Sequence, residues 1–142
     1  MSNTELVFKM YQYFNEGRLD AVRQELFTED IVWRMPGHHP LSGEMRGADE
    51  VMAFLTNLFQ AGISVDGAHF GVLDDGTVCE KHLGHAELDG EKFLFPTSTT
   101  YEVRDGRLAN VQVHTAVQHE VDRYFWGRVS LGPVGGRVEV RA

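Results

Sequence analysis

SVDGAHFGVLDDGTVCEKHLGHAELDGEKFLFPTSTTYEVRDGRLANVQVHT, Ser64 to Thr115, is the stretch whose reading decides the fold. It divides into four candidate strands, Ser64 to Leu73, Thr77 to Leu88, Lys92 to Val103 and Arg107 to Thr115. Asp74-Asp75-Gly76, Asp89-Gly90 and Asp105-Gly106 stand between the segments. Asp-Gly pairs supply the positive φ angles of tight hairpins, so the stretch predicts four strands joined as an antiparallel meander.

Upstream, the period changes. Leu6, Val7, Met10, Tyr13 and Phe14 recur at helical spacing and predict a helix over Thr4 to Glu16, capped by Asn3 or Thr4 and stopped by Gly17. A short second helix is expected over Leu19 to Leu26, with Phe27 to Asp30 as the turn after it. Ile31 to Met35 alternates as a strand, with Ile31, Trp33 and Met35 on one face, and Pro36-Gly37 ends it. His38 to Gly43 reads as a loop. Val51, Met52, Leu55, Leu58 and Phe59 predict a third helix, Ala48 to Gln60, and Val117, Val121, Tyr124 and Phe125 a last one, Ala116 to Trp126. Helices segregated from a run of antiparallel strands indicate an α+β domain. The expected architecture is a curved antiparallel sheet with helices packed on its concave face, forming a cone-shaped pocket over residues 1–126. Residues 127–142 make a Gly-rich tail, in which Arg137 to Arg141 alternates as an added edge strand would.

Composition bounds the function. The chain has 142 residues, 42% of them hydrophobic, and a formal net charge of -8. Scattered and outnumbered Lys and Arg argue against nucleic acid and anionic membrane as partners. Cys79 is the single cysteine, which suits a reducing, cytoplasmic setting. No apolar run approaches the ~20 residues of a membrane span, and the polar start, Met1 to Glu5, reads as no signal peptide. Gly132-Pro133-Val134-Gly135-Gly136 is no nucleotide-binding loop, so no cofactor is indicated. The seven histidines show no metal-ligand spacing: His82 and His85 fall on opposite faces of a strand, and no His-x-x-x-His occurs on a helix.

Val32-Trp33-Arg34-Met35-Pro36-Gly37, Pro40-Leu41-Ser42-Gly43 and Arg46-Gly47, followed by the helix with Val51 and Phe54, resemble the SnoaL-like group of polyketide cyclases. So do Tyr101 to Leu108 and the Val121-Asp122-Arg123-Tyr124-Phe125 helix. The group belongs to the ketosteroid-isomerase-like and nuclear-transport-factor-like superfamily. The resemblance, over Thr4 to Trp126, implies a cystatin-like roll, a homodimer, and a pocket lined by the first helix (Tyr13), the Trp33 strand and the concave sheet face. Family cyclases place an acid/base Asp just after the last long strand. Here that stretch is His114-Thr115-Ala116-Val117, without a carboxylate, and Asp122 comes only later, so that role is not carried over.

The resemblance also implies that Gln112 and His114 look inward, with Leu108 and Asn110. Because Lys81 and Glu87 prefer water, Glu80 and His82 are expected inside, as are Phe95 and Tyr101 of the next strand. Glu80, His82, Tyr101, Gln112 and His114, walled by Trp33, Met35, Phe59 and Phe95, form the candidate cluster, with His39 at its mouth. Imidazole titrates near pH ~6.5 and can take and return a proton; Tyr and Gln can donate to a developing enolate. Structural readings stand beside these: His114 satisfying a buried carbonyl, and Glu80–His82 as an exposed cross-strand pair. The leading expectation is a cofactor-independent cyclase or isomerase of a hydrophobic, polyketide-like molecule, with His114, His82 and Glu80 catalytic. The alternatives are a non-catalytic ligand-binding protein and, with less support, an epoxide hydrolase or epoxide-opening cyclase.

Overall fold

The computed structural model describes residues 1–131 and 138–141. Helix α1 spans Asn3–Asn15 and buries Leu6, Val7, Met10 and Tyr13. Its cap is Ser2, one or two residues before the expected Asn3 or Thr4. The Ser2 hydroxyl accepts from Glu5 N–H while the Glu5 carboxylate accepts from Ser2 N–H, a capping box contributing about 1 kcal/mol. The second helix is short, Leu19–Ala21 (α2), and widens into a π-helical turn, Val22–Leu26.

The chain then enters strand β1, Phe27–Met35, so the expected turn at Phe27 to Asp30 is instead strand. A second strand missed in the sequence, β2 (Gly43–Arg46), pairs antiparallel with β1. Helix α3, Ala48–Gln60, buries Val51, Phe54 and Leu55, each Val- or Leu-sized side chain contributing roughly 1.5–3 kcal/mol. The meander follows as β3 (Ser64–Val72), β4 (Val78–Leu88), β5 (Glu91–Arg104) and β6 (Arg107–Thr115). Helix α4 covers Gln118–Arg128.

The six strands form one sheet in the order β2-β1-β6-β5-β4-β3. Only part of the antiparallel expectation holds: β1 runs parallel to β6, so the sheet is mixed. The intervening chain makes this possible, because α3 and the meander carry it across the sheet before β6 returns beside β1. The tail strand is Val138–Val140 (β8), paired with Val129–Leu131 (β7) as a separate two-stranded sheet and not added to the main edge. Arg137 and the Gly132 to Gly136 stretch lie outside the described residues. Among the described residues no helix is long and apolar enough to cross a membrane.

One irregularity positions the site. At the β5–β6 hairpin, Arg104 pairs with Arg107 and Val103 with Leu108, but Glu102 pairs with Asn110. Ala109 is thus an extra residue, a β-bulge, and beyond it the faces of β6 are exchanged. Leu108 points inward, and so do Val111 and Val113, which are buried.

Candidate functional site

The concave face of β4, β5 and β6, closed by α1, α3 and α4, encloses a cavity of about 460 Å³. Its walls are largely apolar: Trp33 and Met35 from β1, Phe54, Leu55 and Phe59 from α3, Phe95 from β5, Val113 from β6 and Phe125 from α4. Polar groups come from the strands alternating beneath them: His82, Thr97, Thr99, Tyr101 and Thr115, with Tyr11 reaching in from α1.

Four titratable groups converge at this floor. Glu80 is fully buried, and its Oε2 lies 2.7 Å from His82 Nδ1. The His82 side chain is 11% exposed and lines the cavity. With Nδ1 engaged by the carboxylate, Nε2 is the ring nitrogen left for a ligand. Glu80 Oε1 has no hydrogen-bond partner among the described residues. The hydroxyls of Tyr11 and Tyr101 lie 2.8 Å apart. Burial pushes the Tyr11 phenol well above its ordinary range, reinforced by Tyr101 and by the Glu80 charge. Burial likewise raises Tyr101, outweighing the opposing hydrogen bond from Tyr11. Both phenols therefore stay protonated at neutral pH and remain donors.

The structure brings together Glu80, His82, Tyr101, Trp33, Met35, Phe59 and Phe95, and separates the rest. His114 is exposed on the outer face of β6, and Gln112 shares that face, its amide donating to Val113 O at 2.9 Å. Both expectations are corrected by the Ala109 bulge. An unbroken hairpin would set Gln112 opposite Thr99 and His114 opposite Thr97; instead Val113 and Thr115 occupy those positions. Tyr13 packs away from the cavity and donates to Glu25 Oε1 at 3.1 Å. His39 is not a mouth residue: it is 5% exposed, stacked on Phe125 at 4.6 Å between ring centroids. Its Nδ1 accepts from Leu41 N–H at 3.1 Å, and burial lowers its pKa to about 4, so the ring is neutral. His85 lies on the face opposite His82 and pairs with Asp66 at 2.9 Å.

Sequence reasoning missed Tyr11 and the threonines. Tyr11 follows Val7 by four positions, so the helical period carries a signal for it, whereas Tyr13, in the Leu6 to Phe14 stripe, sits on the flank facing the π-helical turn. Thr97 and Thr99 alternate with Phe95 and Tyr101 on the inward face of β5, but threonine is ordinary in strands and carries no distinct signal.

No curated protein matches the chain. Among solved structures, Bal32a from a soil-derived mobile gene cassette is 25% identical, with 87% of this chain and 95% of that one covered at a TM-score of 0.78. A Xanthomonas campestris protein of unknown function with a cystatin-like fold is 21% identical, covering 90% and 100%, TM-score 0.79. An NTF2-like protein from Burkholderia xenovorans is 19% identical, covering 87% and 95%, TM-score 0.76. These share the helix-lined, cone-shaped α+β fold. Residues 7–111 match the SnoaL-like domain, and the chain belongs to that family.

Proposed function

We propose that the chain is an acid/base enzyme, an isomerase or cyclase that moves a proton on a largely apolar, polyketide-like carbonyl compound. The observation that carries this reading is the Glu80–His82 pair at the cavity floor, 2.7 Å between Oε2 and Nδ1. Glu80 accepts a hydrogen bond from His82 Nδ1–H, which leaves the Nε2 lone pair free to remove a proton from a carbon next to the substrate carbonyl. The imidazolium so formed sits beside the carboxylate, and can return the proton to another carbon or to oxygen. A Tyr11 or Tyr101 phenol donates to the developing enolate oxygen, which stabilises the charge where it appears. The aromatic walls hold the substrate in a reactive shape. Membership of the SnoaL-like family supports an enolisable substrate.

The test is solvent-deuterium exchange into beta-tetralone, an apolar ketone with acidic neighbouring C–H bonds, followed by proton NMR. Wild type should accelerate exchange, and His82→Gln should lower the rate by about 10²-fold or more while the probe still binds. Equal rates in both proteins overturn the proposal. Binding without any exchange also overturns it, in favour of a ligand-carrying protein.

A further inference from the structure

Gly84 has no local reason to be glycine. It lies mid-strand in β4, two positions from His82 on the same inward face, and it is buried. A glycine in a strand interior weakens the strand, and often marks a place where a ligand or another backbone comes close. Backbone conformation does not call for it, since its φ lies outside the left-handed region. Packing does not call for it either. The three atoms nearest to a Cβ built at this position all belong to Phe95, at 3.4, 3.5 and 3.7 Å, which is ordinary van der Waals contact. An alanine would fit beside Phe95 without displacing it.

What the missing side chain leaves open is the cavity, which Gly84 lines. Its partners across the sheet, Val65 on β3 and Phe95 on β5, line the cavity as well. Val65 is 42% exposed and marks the rim, whereas the His82 side chain is 11% exposed and lies deeper. A strip of bare backbone at Gly84 thus lies between the rim and the imidazole. Bare backbone in the floor of an apolar cavity suits a flat group laid against it. At about 460 Å³, the cavity is larger than a two-ring ketone fills.

We infer that Gly84 is a specificity-determining residue, whose missing side chain leaves floor space beside His82 for the body of a flat substrate larger than two fused rings. The inference rests on the proposed reaction for the placement of the carbonyl at His82, but the selection by size is a matter of binding alone.

The experiment measures affinity by calorimetry for beta-tetralone and for its linear and angular benzo-fused homologues, which add a third ring and keep the same ketone. In wild type at least one three-ring homologue should bind about tenfold more tightly than beta-tetralone, the effect of burying one further ring. Gly84→Ala should remove that gain, because a single methyl group in a filled pocket discriminates by about tenfold or more. The same variant should melt about 1–4 °C above wild type, since alanine is better tolerated than glycine inside a strand. A gain that survives in Gly84→Ala overturns the inference, and so does a wild type in which no three-ring homologue gains over beta-tetralone. An alanine variant that melts below wild type also overturns it, because the glycine would then be a requirement of the fold. Because the readout is affinity, its failure is separable from that of the reaction: His82→Gln with undiminished exchange sinks proton transfer and leaves the size ratio in place.

Discussion

Replacing Glu80 by Gln should make the protein more stable and less active at once. The side chain is fully buried, and only one carboxylate oxygen has a hydrogen-bond partner among the described residues. Gln has nearly the same shape. Its carbonyl can still accept from His82 Nδ1–H, and its amide can occupy the position of the unpartnered oxygen. The loss is one charge-assisted hydrogen bond exchanged for a neutral one, about 1 kcal/mol. Against this stands relief from burying a carboxylate, an effective penalty of several kcal/mol. The net is a gain of about 1–3 kcal/mol, or about 3–9 °C in Tm for a domain of this size. Exchange into beta-tetralone should nonetheless fall on the order of 10²-fold, because the imidazolium formed during proton transfer loses its counter-charge. Probe affinity should hold, since Glu80 is a positioning residue behind His82 and does not line the cavity. Calorimetric unfolding, ligand titration and the NMR exchange rate together check this. A variant that melts lower and exchanges as fast as wild type would refute the reasoning, because Glu80 would then be a structural anchor.

Three further outcomes follow from the geometry. His39 is buried and neutral with a pKa of about 4, below the ~6.5 of an unfolded chain. The unfolded state binds more protons between those values, so this stability is complete above pH ~6.5 and is lost as pH falls toward 4, on the order of 3 kcal/mol. Urea unfolding across that range should show a flatter pH dependence in His39→Gln; an unchanged slope counts against the assignment. Gly37 has φ 112°, and a Cβ there would overlap the ends of Gln118 and Asp122, which hold His38 N–H to Asp122 at 3.1 Å. Gly37→Ala should destabilise by about 2–4 kcal/mol through backbone strain and the displaced network, and a loss under ~0.5 kcal/mol would contradict it. His114→Gln, on the outer face, should shift stability by less than ~0.5 kcal/mol and leave exchange unchanged. A tenfold loss of exchange would return His114 to the site and sink the β6 register described above.

Much of the site was readable from local pattern. Glu80 and His82 could be placed inside because Lys81 and Glu87 alternate with them, and Phe95 and Tyr101 because β5 keeps an unbroken period of two. Helix α3 covers Ala48–Gln60, the span its apolar stripe predicts. The Asp-Gly turns located three hairpins, and Asp89 and Asp105 do adopt positive φ. Each of these signals lies within a few residues of what it determines.

What the chain alone left open depended on partners far along it. The inward face of β6 is set by a single extra residue, Ala109, whose effect appears only when the strand is laid against β5 and β1. Without the bulge the polar set Asn110, Gln112 and His114 would face inward; with it, Val111 and Val113 do. Strand β2 and the start of β1 were likewise invisible, since Gly43 to Arg46 has no strand-like alternation and becomes a strand only because β1 offers an edge. The hydrogen bond between Tyr11 and Tyr101 joins residues 90 positions apart. Side-chain period is a property of neighbouring backbone, whereas register and cavity membership are properties of packing, and packing is decided only when the whole sheet has closed around its core.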